Sequence, residues 1–243
     1  MNDLSGEVRR LCVALDVERY SRRTDPEQRE IQRRLVEVVA AAGREAGLDR
    51  LLVAERAAHA GGGGPATVMF RQEQGDGLLL LLPAGVSEAR VIAGLIGELR
   101  IALHQHNRHL GTGAPVRLRL RLAFHQGPTQ VGDNGFVGRA VNTVCRLRDS
   151  DELRGALTHH PDADLAVIVS AQLFEDVIEH EHRDLRRHLF QRVLVHAKDI
   201  EMPAWISVPD ADPGAAAVPG APAVPAGRGR RVRLPSIVNI DEY

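Results

Sequence analysis

Two cysteines in 243 residues leave no disulfide framework to build on. Cys12 and Cys145 both lie in apolar-patterned segments and read as buried free thiols. Aromatic residues are scarce too, at 3%, while Ala, Arg and Leu are plentiful, the residue usage of a high-GC bacterial genome. No long apolar run exists. The longest without a charge, Leu78 to Leu82, is far too short to span a bilayer. The opening MNDLSGEVRRL has no apolar signal core, so the expected location is the cytoplasm, with no membrane contact. A strong charge of either sign is also missing. The formal net charge of −1 argues against a nucleic-acid or membrane-surface binder.

What is present is enough for one sizeable domain with an appendage, at 44% hydrophobic and 26% charged. LCVALDV, residues 11–17, reads as a buried strand with an acid near its end. A helix follows, started either by Thr24 with Glu27 three residues on, or by Asp25 with Pro26 at the first helical position. Its apolar face is Ile31, Leu35, Val38, Val39 and Ala42. Residues 51–82 read as strand, loop, strand, turn, strand. Gly61 to Gly64 lack the downstream Gly-Lys-Ser/Thr of a phosphate loop and read as a solvated loop. TVMFRQE and LLLLLP around Gly75-Asp76-Gly77 make a hairpin.

A second helix spans Ser87 to about Arg108. Val116 to His125 alternates apolar residues with Arg117, Arg119 and Arg121, as in a half-exposed strand whose arginines form a solvated face. VGRAVNTVCRLRD, residues 137–149, is a third helix. A strand at 165–170, a helix at 171–178 and a hairpin from 190–196 and 204–208 complete the order. The histidines at 104, 106 and 109 lack a carboxylate or cysteine to complete a metal set. His159, His160, His180 and His182 fall in polar connecting stretches, and His125 ends a strand. The fold expected is α+β, a mostly antiparallel sheet with helices on one face. Residues 1–209 form the domain. Residues 210–243 form a Pro/Gly/Ala-rich linker, disordered by composition, ending in LPSIVNIDEY, either a frayed tail or a docking peptide for a protein partner. The four arginines between 228 and 233 read as solubilising.

Asp16 closes the first strand and Asp76 occupies the hairpin turn. Taken singly, one is a strand-end cap and the other a turn residue. Placed side by side, they offer the carboxylate oxygens that hard divalent cations prefer. Asn142 and Arg146 are four apart, so a helix sets them on one face.

Four segments, LDVERYS (15–21), QGDGLLLLLP (74–83), AFHQGPTQVG (123–132) and GRAVNTVCRL (138–147), together resemble the class III nucleotide cyclase homology domain. They occur in that family's order, and the match runs from about Leu11 to Val208. The chain is similar to a divergent, actinobacterial-type member. The resemblance implies a ferredoxin-like, palm-type sandwich. It also implies conversion of a nucleoside triphosphate to a 3′,5′-cyclic nucleotide and pyrophosphate. Asp16 and Asp76 would hold two Mg²⁺ or Mn²⁺ ions per site. Asn142 would orient the ribose and Arg146 would stabilise charge on the α-phosphate. The phosphates would approach the backbone at Val17 and the side chain of Lys198. Because the family's sites lie between protomers, a homodimer is implied.

Several positions depart from the family. Gln72 and Gly135 stand where base-reading residues are expected. QVGDNGFVG is little more than a turn where many members have a protruding arm, and Arg139 replaces an acid or amide. A catalytically degenerate signalling module on the same fold is the alternative these departures support.

Overall fold

The computed structural model describes residues 7–48, 69–132, 135–197 and 200–211. The elements run β1 (Val8–Val17), α1 (Asp25–Glu45), β2 (Phe70–Glu73), β3 (Gly77–Leu81), α2 (Glu88–Asn107) and β4 (Leu120–Gly132). They continue with β5 (Gly135–Val137), α3 (Arg139–Arg148), α4 (Asp151–His159), β6 (Leu165–Ser170), α5 (Ala171–Leu173), β7 (Gln191–Ala197) and β8 (Ile200–Ser207). The strand order is β2-β3-β1-β4-β6-β8-β7, with β5 paired to β4. Among the described residues only the β4–β6 pairing is parallel. The expected segments 51–56 and 61–64, Lys198 and the tail from 212 lie outside the described residues.

β1 sits between β3 and β4 and is buried on both faces. Its odd residues Leu11, Val13, Leu15 and Val17 join α1 and α2 in one core. Cys12 and Ala14 face the other way and pack with α3 and α4. Helices therefore cover both faces, which corrects the one-face expectation. The second face is built from small residues, including Ala14, Ala123 and Ala166. Gly127 has no side chain to hold α3 off the sheet. A Cβ there would lie 2.9 Å from that of Ala140.

Thr24 caps α1, with the Glu27 carboxylate accepting the Thr24 amide at 2.8 Å, so the first of the two starts holds. The third helix ends at Arg148. Ser150, whose hydroxyl accepts from the Leu153 amide, opens α4 at once, so His159 belongs to a helix rather than a connection. After Leu173 the 171–178 helix widens into a π-helical turn, Phe174–Ile178, whose Phe174 ring stacks on Trp205 at 3.8 Å. The segment after Gly127 closes in a short hairpin, with β5 pairing residues 130–132. Cys12 is buried and Cys145 half-buried, both as free thiols.

Candidate functional site

The two acids come to one end of the sheet, where β1 ends and β3 begins. Asp16 pairs with Gly77 across the ladder, and the Val17 amide donates to the Asp76 carbonyl at 2.9 Å. Gly77 must be glycine for this approach, because a Cβ would fall 2.3 Å from the Leu15 carbonyl oxygen. Gly75, at φ 75°, supplies the left-handed residue of the turn. The carboxyl group of Asp16 is buried and that of Asp76 half-buried.

The arginines of β4 are not a solvated face. Arg121 lies opposite Asp16 in the register and grips it with two parallel bonds, Nε to Oδ1 at 2.8 Å and Nη2 to Oδ2 at 2.5 Å. Arg119 bonds Glu18 at 2.6 Å and three backbone carbonyls. Arg117 holds Asp164 at 2.7 Å and the Asp162 carbonyl. The expectation fails because Asp16 on β1 lies opposite Arg121 on β4, Glu18 just beyond β1 meets Arg119 just before β4, and Arg117 turns to Asp164 ahead of β6. Arg148 also converges here. Its Nε is 3.8 Å from Asp16, and its Nη1 donates to Gln74 Oε1 at 2.6 Å. Burial pushes the Asp16 carboxyl up to about 6, against the downward pull of Arg121 and Arg148. For Arg148, burial works against the charge, and the carboxylates of Asp149 and Asp16 outweigh it, so its pKa rises.

Above this pair opens a cleft of about 360 Å³. Asp76, Arg121, Arg154 and the turn carrying Arg19 and Arg22 line it. Arg19 holds a left-handed conformation, φ 56°, which sharpens that turn. The amides of Val17 and Glu18 are already committed to Asp76 and Arg119, so the side chains of the turn, rather than these amides, face an incoming anion.

Asn142 is exposed and Arg146 half-buried on α3, and neither lines the cleft. Gln72 is exposed on β2, paired with Leu79, and Gly135 lies opposite Gly132 on β5. Phe70 and Phe136, in edge contact at 5.3 Å, bring those two strands together. Lys198 is outside the described residues. His125 stands four residues along β4 from Arg121 and does not line the cleft. It bonds Ser170 at 2.9 Å, and burial, helped by Arg9, lowers it to about 4, so it is a neutral link between β4 and β6.

Among the described residues, no group of three or more His, Cys, Asp or Glu is placed to hold a metal. A magnesium-like ion asks for less. One or two carboxylates suffice when phosphate oxygens and water complete its shell. Asp76 lines the cleft, whereas Asp16, its neighbour across the ladder, is buried with both carboxylate oxygens bonded to Arg121, so it could join such a shell only if that pair opened.

No family model and no curated protein sequence matches the chain. Solved structures do. The adenylate/guanylate cyclase/hydrolase from Silicibacter pomeroyi superposes with a TM-score of 0.53 at 20% identity, over 84% of this chain and 99% of that one. The catalytic core of a rhodopsin-guanylyl cyclase with converted specificity, in complex with ATPalphaS, superposes with a TM-score of 0.50 at 13% identity, over 84% and 97%. The fold is that of the class III cyclase homology domain.

Proposed function

We propose that this chain, built on the cyclase homology fold, is a nucleotide cyclase-like domain. It takes a nucleoside triphosphate into the cleft at the Asp16–Asp76 end of its sheet and releases a 3′,5′-cyclic nucleotide and pyrophosphate. The observation that carries the reading is the placement of Asp16, at the end of β1, beside the hairpin turn that holds Asp76, with Arg121 and Arg148 on the Asp16 carboxylate and Asp76 and several arginines lining the cleft. Asp16 and Asp76 would hold Mg²⁺ or Mn²⁺, two per site, whose chemistry is to neutralise phosphate charge and acidify the attacking 3′-hydroxyl. Arg121 presents a guanidinium fork to phosphate oxygens from within the same cleft. Arg19, Arg22 and Arg154 add positive potential around it. Catalysis then rests on positioning and charge stabilisation.

Asn142 and Arg146 lie off this cleft in one chain, which supports a site completed by a second copy. One protomer supplies the carboxylates. Its partner supplies the amide for the ribose and the guanidinium for the α-phosphate. Gln72 and Gly135, brought near each other through the Phe70–Phe136 contact, would face the base. An amide both donates and accepts, so it suits a relaxed or altered base preference.

One observation favours a second reading. The Asp16 carboxylate is fully engaged by Arg121. A chain in which that pair never opens would be a degenerate cyclase module. It would bind nucleotide or a protein partner, with residues 210–243 as its docking element.

The test is to incubate purified protein with each of the four triphosphates and Mn²⁺. Cyclic nucleotide and pyrophosphate are expected from at least one, with both lost in Asp76→Ala and in Arg146→Ala. Nucleotide binding without product from any triphosphate overturns the enzymatic reading in favour of the module.

A further inference from the structure

Behind the cleft is a separate cavity of about 240 Å³, between the turn after β1 and the loop at residues 112–114. Five arginines line it, Arg19, Arg22, Arg23, Arg117 and Arg119, against one lining carboxylate, Glu18. A second carboxylate, Asp164, holds Arg117. Arg117 and Arg119 are rigidly placed. Their side chains are 10% and 12% exposed, Arg117 bonded to a carboxylate and one backbone carbonyl and Arg119 to a carboxylate and three. Arg23 adds a buried Nε that has no hydrogen-bond partner among the described residues.

We propose that this cavity is a second anion site, separate from the nucleotide cleft, that takes a small phosphorylated molecule. Gathering five guanidiniums round one hollow is unfavourable unless an anion offsets their repulsion, and two carboxylates offset only part of it. Guanidinium forks match phosphate oxygens in geometry as well as charge. The Arg119 side chain is only 12% exposed on this side of the hollow, and burial lowers its pKa. The hollow lies between loop and turn rather than spread as a stripe, with Arg19 and Arg22 exposed beside the more buried Arg117 and Arg119, which suits a small ligand and not a polymer backbone.

Arg19 and Arg22 line both cavities. A ligand that draws them to one side withdraws them from the other. The two sites are thereby coupled, and the coupling is reciprocal.

This inference goes beyond the cyclase reading and does not depend on turnover. Arg23 lines only the rear cavity and Arg154 only the cleft. Full-length protein without divalent cations is titrated calorimetrically with inorganic pyrophosphate as wild type, Arg23→Gln, Arg23→Lys and Arg154→Gln. The site as proposed gives saturable binding that weakens roughly tenfold or more in Arg23→Gln, the loss of one charge-assisted contact. Arg23→Lys recovers part of it, and Arg154→Gln keeps wild-type affinity. Circular dichroism melts check that Arg23→Gln is folded. Four results overturn the proposal: no binding to wild type, unchanged binding in Arg23→Gln, loss confined to Arg154→Gln, or equal loss in both variants. None of them touches the cyclase assay, so the two readings fail separately.

Discussion

At the scale of single residues, the pair Asp16–Arg121 decides the character of the site. A carboxyl pushed up to about 6 by burial binds its proton more tightly in the folded chain than in the unfolded one. The sign follows from that. Between the unfolded value and about 6 the native state holds the extra proton, so this group's contribution to stability is largest in acid. It is lost as pH rises through about 6. On moving from pH 7 to pH 5, wild type should gain about 1 kcal/mol relative to Asp16→Asn, which cannot titrate. Urea unfolding of both proteins at the two pH values measures the difference. A gap that stays constant or shrinks contradicts the raised carboxyl. The same residues show where the sequence was legible. Asp16 and Asp76 could be singled out from their places at a strand end and in a hairpin turn. Arg121 could not, because its partner depends on the β1–β4 register, and an alternating arginine strand reads the same whether it faces water or acids.

At the scale of elements, two contacts hold the machinery in place. The first is the seat of α3 on β4. Gly127 lets Ala140 approach, and α3 then carries Arg148 to Asp16 and Gln74 at its far end. Gly127→Ala should cost about 1–3 kcal/mol by overpacking. Adding Ala140→Gly removes the opposing methyl at a helix-propensity cost of about 1 kcal/mol. The double variant should therefore be more stable than the two separate losses add up to, as a urea-unfolding cycle would show. Strict additivity would mean the two positions do not meet. The second contact is the buried side chain of Asn107, at the end of α2. Its amide donates to the Leu118 carbonyl at 2.7 Å and its oxygen accepts the Leu118 amide at 3.1 Å, pinning the chain just before β4. Asn107→Ala strands both backbone groups and should cost about 3 kcal/mol, read as a lower midpoint in chemical denaturation. A loss of under about 0.5 kcal/mol, the range of ordinary surface changes, would count against this role. α1 and α2 were legible from their periodic apolar faces. α4 was not, because a nine-residue helix with only Leu153, Ala156 and Leu157 buried offers too short a period to separate from a loop. β5 was hidden for a similar reason, being three residues among glycines.

At the scale of the whole molecule, the sheet is a partition. Its α1/α2 face is a thick aliphatic core. Its α3/α4 face is thinner and lined with alanines, so the helix bearing Asn142 and Arg146 lies close against the strands. The one-face expectation fails because β1 and β6 are continuous apolar runs buried on both sides, the mark of a sheet covered on both faces. The arrangement leaves Asn142 exposed and outside the lining of the cleft that Asp76 borders. If catalysis needs both sets, a two-fold pairing must supply them, each copy giving acids to one site and the amide–guanidinium couple to the other. Asp76→Ala and Arg146→Ala should each be inactive alone. Mixed in equal amounts and allowed to exchange, they should recover roughly a quarter of wild-type activity. Half the dimers are then mixed, and each mixed two-fold dimer has one intact site and one doubly damaged site. Cyclic-nucleotide formation before and after mixing reads this directly. Recovery would place the damaged residues on opposite sides of a shared site. If wild type turns over and the mixture stays as silent as its components, although mass spectrometry shows the subunits exchange, both residues must serve the same site from one chain, and the two-fold arrangement fails.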